Sequence, residues 1–117
     1  MTLFDECKLA LRDDFNLICD EEKDCVMDKF YFYFLEKKEE FNFQDYSFEE
    51  MYIFSKMEPV YVLCDSSNIP LFRSNWELII NNIYDVVCLS TKVFFLDDEK
   101  LMMTLFPEDK VRVIYKR

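Results

Sequence analysis

The sequence predicts a single α+β domain over residues 1–117, an antiparallel sheet of four to six strands with about three helices packed on it. Three observations carry this expectation. At 117 residues the chain has room for one core and not for two. Short runs of aromatic and β-branched residues recur between charged turns, as strands of a sheet do. Between them, two capping boxes led by serine open stretches whose apolar residues repeat at helical spacing.

Residues 2–18 read as the first helix. Leu3, Cys7, Ala10, Leu11 and Phe15 fall three or four apart on one face, with Asp5, Glu6, Arg12 and Asp13 on the other, and Thr2 can cap the first turn. Asp20-Glu21-Glu22-Lys23-Asp24 reads as a charged turn. Phe30-Tyr31-Phe32-Tyr33-Phe34 is aromatic throughout and suits a strand. Lys37-Lys38-Glu39-Glu40 would then turn the chain into a short return strand at Phe41-Asn42-Phe43. A second helix opens at Ser47-Phe48-Glu49-Glu50, where Tyr46 can staple onto Met51 and Pro59 closes the element. Val60-Tyr61-Val62-Leu63-Cys64 is a strand, and Asp65-Ser66-Ser67-Asn68 a turn. The third helix, 74–84, starts at the capping box Ser74-Asn75-Trp76-Glu77 and shows one apolar face of Trp76, Ile79, Ile80 and Ile83. A hairpin follows: Val93-Phe94-Phe95-Leu96, the turn Asp97-Asp98-Glu99-Lys100, and residues 101–106, whose short apolar run also permits a helix. After Pro107-Glu108-Asp109-Lys110, the alternation of Val111-Arg112-Val113-Ile114-Tyr115 fits an outer strand.

Two absences bound the function. The chain has no glycine and no histidine. Phosphate-cradling loops need a backbone free of Cβ, so the P-loop and the dinucleotide fingerprint are excluded. Ser-His and Cys-His nucleophile pairs, HExxH zinc sites and His/Cys/Cys deaminase sites go with histidine. The expectation is a binding protein rather than an enzyme, with no cofactor.

Charge narrows the partner. Twenty-four acidic residues against fourteen basic ones give −10. A direct nucleic-acid ligand or an anionic membrane would need basic residues at the contact face, so neither is expected. Residues 1–50 hold fifteen acids and six bases, hence −9, and residues 51–117 nine and eight, hence −1. This asymmetry suits either a solvated face that keeps an aromatic-rich chain soluble or a surface built for a basic partner.

Other chemistries find little support. Asp20-Glu21-Glu22 and Asp97-Asp98-Glu99 carry oxygen ligands but lack the alternation and glycine of a calcium loop, so no metal is expected. Glu108-Asp109-Lys110 resembles the end of a metal-dependent nuclease motif without its upstream Pro-Asp partner, and sits where a turn is expected. No pair of carboxylates stands out for glycosidic chemistry. The tyrosines at 31, 33, 46 and 52 have acidic or apolar neighbours, which favours core packing or a protein interface over base stacking. Cys7, Cys19, Cys25, Cys64 and Cys88 are odd in number and form no CxxC pair, so they read as small core hydrophobes in a reducing compartment. With no signal-peptide pattern after Met1 and no long apolar run, the expected location is the cytoplasm.

From residue 60 onward the order of segments carries a resemblance. Val60-Tyr61-Val62-Leu63-Cys64-Asp65, Ile69-Pro70-Leu71-Phe72-Arg73-Ser74, the helical run from Trp76 to Val86, the strand around Phe94 and the strand 110–114 follow one another in a familiar pattern. Together with the glycine-free, Phe/Asn/Lys-rich composition, this resembles the small acidic CdiI-like immunity proteins of bacterial contact-dependent growth inhibition and related polymorphic toxin systems. The resemblance implies a partner, the C-terminal toxin domain of the large exoprotein CdiA, bound in the cytoplasm of the producing cell. Many such toxins are nucleases acting on tRNA, other RNA or DNA, whose clefts must attract phosphate and are therefore basic. An acidic inhibitor that occludes such a cleft gains speed of capture from charge complementarity. The candidate toxin-binding residues are Asp13, Asp14, Asp20, Glu21, Glu22, Asp24 and Asp28, with Asp97, Asp98 and Glu99 as a second patch. Three rivals compete: an acidic mimic of nucleic acid, interrupted here by Lys23, Lys29, Lys37 and Lys38; an enzyme using only carboxylates, which a deep pocket holding two close acids would mark; and a phage or viral protein that inhibits another basic host protein.

Overall fold

The computed structural model describes residues 2–35 and 41–116. Thr2 begins the fold as the reading expects: its hydroxyl accepts from the Asp5 N–H at 3.1 Å, and the Asp5 carboxylate takes the Thr2 N–H at 3.2 Å. The helix it caps, α1 (Leu3–Ala10), stops short of residue 18. The chain continues through a 3-10 turn, Arg12–Asp14, into the short strand β1 (Asn16–Leu17). Asp14 is the cause. Its carboxylate accepts from the side chains of Asn16 and Asn75, both at 2.8 Å, and short polar groups that bond locally favour turns over helix.

The largest correction concerns residues 20–34. The charged segment 20–24 is no turn and the aromatic run is no strand; both belong to helix α2 (Asp20–Leu35). Asp20, Glu21 and Glu22 fill its first turn, where the helix dipole favours negative charge. Val26, Phe30 and Tyr33 recur at helical spacing and bury one stripe, which overrides the strand preference of aromatic residues. The turn expected at 37–40 lies outside the described residues.

Strand β2 (Phe41–Ser47) extends the expected return strand. Ser47 then forms its capping box with Glu50, but the element is a 3-10 helix, Phe48–Phe54, that ends well before Pro59. Tyr46 sets its ring edge-on to Phe54 at 5.2 Å. Strands β3 (Pro59–Cys64) and β4 (Phe72–Asn75) follow, β4 not having been expected. The third helix is two: α3 (Trp76–Asn81) and α4 (Ile83–Val87). Asn75, not Ser74, is the cap of α3, with its Oδ1 accepting from the Leu78 N–H at 3.0 Å. Asn82 breaks the run by donating its side-chain amide back to the Leu78 carbonyl at 2.9 Å. Trp76, Ile79 and Ile83 are buried as expected, while Ile80 is half-buried. The hairpin is β5 (Val93–Leu96) and β6 (Lys100–Thr104), so residues 101–104 are strand, and β7 (Lys110–Lys116) closes the chain.

The seven strands form one sheet in the order β1-β4-β3-β5-β6-β7-β2, antiparallel throughout. That exceeds the four to six strands expected. The helices also exceed expectation, four α and two 3-10 among the described residues. β7 is interior and β2 takes the edge, reversing the expected outer place of β7. The Cα radius of gyration, 13.5 Å, is what one globular body of this length gives, about 13.4 Å.

Side-chain alternation divides the sheet into two faces. Phe72, Val62, Phe95, Met102 and Val113 align across five strands, each with no exposed surface, under α1, α3, α4 and the 3-10 helix. On the opposite face Tyr61, Leu96, Leu101 and Ile114 form a row, and α2 lies over it through Val26 and Phe30.

Candidate functional site

The ten acidic residues singled out in the sequence separate into structural and free carboxylates. Asp14 is half-buried and holds Asn75 and Asn16. Glu22 is half-buried and accepts from the Tyr61 hydroxyl at 3.1 Å, which pins the start of α2 to β3. Asp97 is the most committed. It pairs with Lys100 at 2.6 Å, takes the Trp76 indole N–H at 2.8 Å, and accepts the backbone N–H groups of Glu99 and Lys100. Burial would raise its carboxyl, but the Lys100 ammonium and the backbone and indole donors outweigh burial and hold it below the ordinary aspartate value. The Lys100 ammonium also lies 5.1 Å from the ring centres of both Phe54 and Trp76.

Asp13, Asp20, Glu21, Asp24, Asp28, Asp98 and Glu99 are exposed. The fold brings three of them together. Asp28 from the middle of α2 and Asp98 and Glu99 from the β5–β6 turn line one open cavity of about 480 Å³, with Lys29, Phe32, Tyr33, Leu96 and Asp97. On the other side of the same turn a second cavity, about 400 Å³, is lined by Glu58, Pro59, Tyr61 and Arg73 together with residues 97–99. The β5–β6 turn thus stands as an acidic ridge between two concavities. Asp20, Glu21 and Asp24 sit nearer the start of α2, and Asp13 on the 3-10 turn; none of the four lines either cavity.

Glu58 was missed because it stands alone in sequence, outside any acidic run. The aromatic wall, Phe32 and Tyr33, was missed because the segment was read as a strand. The helical spacing of Val26, Phe30 and Tyr33 after three acids is the signal that would have found it.

The site offers exposed carboxylates beside apolar walls, with Lys29 and Arg73 among the lining residues. Among the described residues no group of three or more Cys, Asp or Glu is placed to hold a metal ion. Burial pushes the Cys7 and Cys64 thiols up to about 12, which leaves them poor nucleophiles. The thiols are all free, but only Cys7 and Cys64 are buried; Cys19, Cys25 and Cys88 are exposed, which corrects the reading of all five as core residues. No helix of the described residues is long and apolar enough to cross a membrane.

The family model for the EcoliA0-like CdiI immunity proteins matches residues 1–114. The chain belongs to the CdiI immunity protein family. A search of curated proteins finds no match. The match covers α1, α2 and β2 as well as the part from residue 60 that carried the resemblance, so both faces of the sheet belong to the CdiI unit. Membership makes this a toxin-neutralising immunity protein, an inhibitor by family with a cognate toxin as its partner.

Proposed function

We propose that this CdiI protein neutralises a nuclease toxin domain in the cytoplasm of the producing cell, docking an acidic flank over the nuclease's basic cleft. The observation that carries the reading is the convergence of Asp28 with Asp98 and Glu99 around one cavity, from segments some seventy residues apart in the chain. Asp20, Glu21 and Asp24 extend the negative surface along α2 toward its N-terminus. A nuclease cleft concentrates Lys and Arg to hold phosphate, so a surface of exposed carboxylates competes for the same groups. Steering by opposite charges speeds encounter, which matters when the free toxin is lethal. Asp14, Glu22 and Asp97 take no direct part in docking on this reading; they hold the flank in place.

The test is binding kinetics with the toxin domain encoded beside this gene. Reversing Asp28, Asp98 and Glu99 to lysine is expected to lower the association rate about tenfold or more at low salt and to flatten its salt dependence. The melting temperature should stay within a few degrees, because the three carboxylates are exposed. An unchanged association rate would refute the electrostatic flank. Failure of the toxin to degrade nucleic acid would refute the nuclease partner.

A further inference from the structure

Among the described residues a single helix, α2, lies over one face of the seven-stranded sheet, and it does not cover that face. α2, at about 1.5 Å per residue, is roughly 24 Å long, and it lies over the row Tyr61, Leu96, Leu101 and Ile114. The next row along the strands on that face is Leu63, Phe94, Met103, Arg112 and Asp45. In the first row Leu96 and Leu101 are 1% and 0% exposed and Tyr61 and Ile114 half-buried, whereas in the second none is buried: Leu63, Phe94, Met103 and Arg112 are half-buried and Asp45 is exposed. Phe34 reaches from the last turn of α2 to Phe94, 5.2 Å between ring centres, and remains 40% exposed. Phe43 on the edge strand is 61% exposed, its ring backed by the Arg112 guanidinium at 5.1 Å.

These residues enclose two adjoining hollows that share Phe34 and Met103. One, about 390 Å³, lies between Tyr33, Phe41, Phe43 and Ile114. The other, about 450 Å³, runs past Phe94 to Phe106, which is 68% exposed. Tyr33 is also a wall of the acidic cavity that holds Asp28, Asp98 and Glu99, so the apolar hollows continue directly from the charged flank. An apolar centre bordered by charge is the anatomy of a protein interface, in which a few desolvated anchors supply most of the binding energy.

We propose that this open row is the anchoring socket of the interface: it receives an apolar side chain that protrudes from the basic face of the toxin domain. The inference rests on the immunity reading above and adds to it the group that holds the complex once charge has brought it together. Charge also argues for this occupant over a second copy of the chain. Two copies would each bring −10 to the contact, with the acidic ridge beside it, whereas a basic partner meets that ridge with opposite charge.

The experiment uses the full chain and the toxin domain encoded beside it, followed by surface kinetics. Phe43→Ala and Phe34→Ala should each weaken binding about tenfold or more through faster dissociation, with the association rate and its salt dependence unchanged. Tyr52→Ala removes an aromatic residue that is 71% exposed on the 3-10 helix against the other face, and should leave binding unchanged. Phe43→Glu serves as a second variant, since a charge at an exposed edge position leaves the fold intact. Affinities within about threefold of wild type for all three socket variants would overturn the socket while leaving the immunity reading standing. A wild-type chain that binds no toxin would overturn both. A toxin-free dimer in sedimentation that Phe43→Glu dissolves would assign the hollows to a second copy, and overturn the proposal.

Discussion

Of the three acids in the β5–β6 turn, Asp97 alone holds its carboxylate against the fold, while Asp98 and Glu99 are exposed. Its side chain is 6% exposed and that of Lys100 7%. Taking two charges out of water is costly, so such a pair adds little net stability, but removing one partner strands the other. Asp97→Asn keeps an acceptor for the backbone N–H groups of Glu99 and Lys100 and leaves a buried, unpaired ammonium. The expected loss is ~3–5 kcal/mol in a urea titration. The same carboxyl sets an acid limit. Its folded value is lowered, so its contribution is complete above the ordinary aspartate pKa, ~3.9, and drains away as pH falls through the lowered folded value. Wild-type stability should therefore drop below about pH 4 with a slope that Asp97→Asn lacks. Equal slopes in the two proteins would show that the pair does not titrate with folding. Nothing in the local sequence distinguishes Asp97 from Asp98, because the distinction is made by Trp76, twenty-one residues away.

At the scale of elements, the sequence is legible where a segment's own pattern settles its structure. Thr2 and Ser47 cap as they read, and β3, β5 and β7 stand where their apolar runs place them. It misleads where the deciding contact is distant. Phe30 is buried by Leu71, Leu96 and Leu101, which lie forty or more residues further along, and a local preference for strand cannot register that. Ser74 misleads for the opposite reason: a motif fits, yet Asn75 next to it takes the cap, while Ser74 is buried in β4 with its hydroxyl unpartnered among the described residues. On α3 the buried face is Trp76 and Ile79, with Ile80 at its half-buried border. Ile79→Ala should cost ~2–5 kcal/mol, as truncation of a fully buried isoleucine does. Ile80→Ala should cost less than half as much, ~1 kcal/mol, because its side chain is already partly in water. Equal costs by denaturant titration would place the helix a fraction of a turn away from the orientation described.

For the whole molecule, the sequence disclosed charge and family but not layers. The excess of acid in the first fifty residues marks α2 as strongly negative, yet which acids meet depends on β5 and β6 folding beneath α2. Strand order was hidden because β2 pairs with β7, some seventy residues later, and no local pattern encodes that choice. The thiols report on this layering directly. Cys7 on α1 and Cys64 on β3 are 0% and 5% exposed within one core cluster. Cys19 and Cys25, at and near the start of α2, and Cys88, after α4, are exposed. In the native protein a thiol reagent at pH 8 should label Cys19 and Cys25 promptly and Cys88 more slowly, because partial burial and Asp85 raise the Cys88 thiol and its Sγ donates to the Asp85 carbonyl. Cys7 and Cys64 lack both access and thiolate, their values being pushed up to about 12, so they should react only through global opening. For a domain of ordinary stability that slows them by on the order of 10³ or more. In denaturant without reductant all five should react, and reductant should leave the melting temperature unchanged. A count below five would reveal a disulfide. Prompt native labelling of Cys7 or Cys64 would mean that α1 is not held against β3, and that the layer which fixes α3 and the Asp97 turn is open.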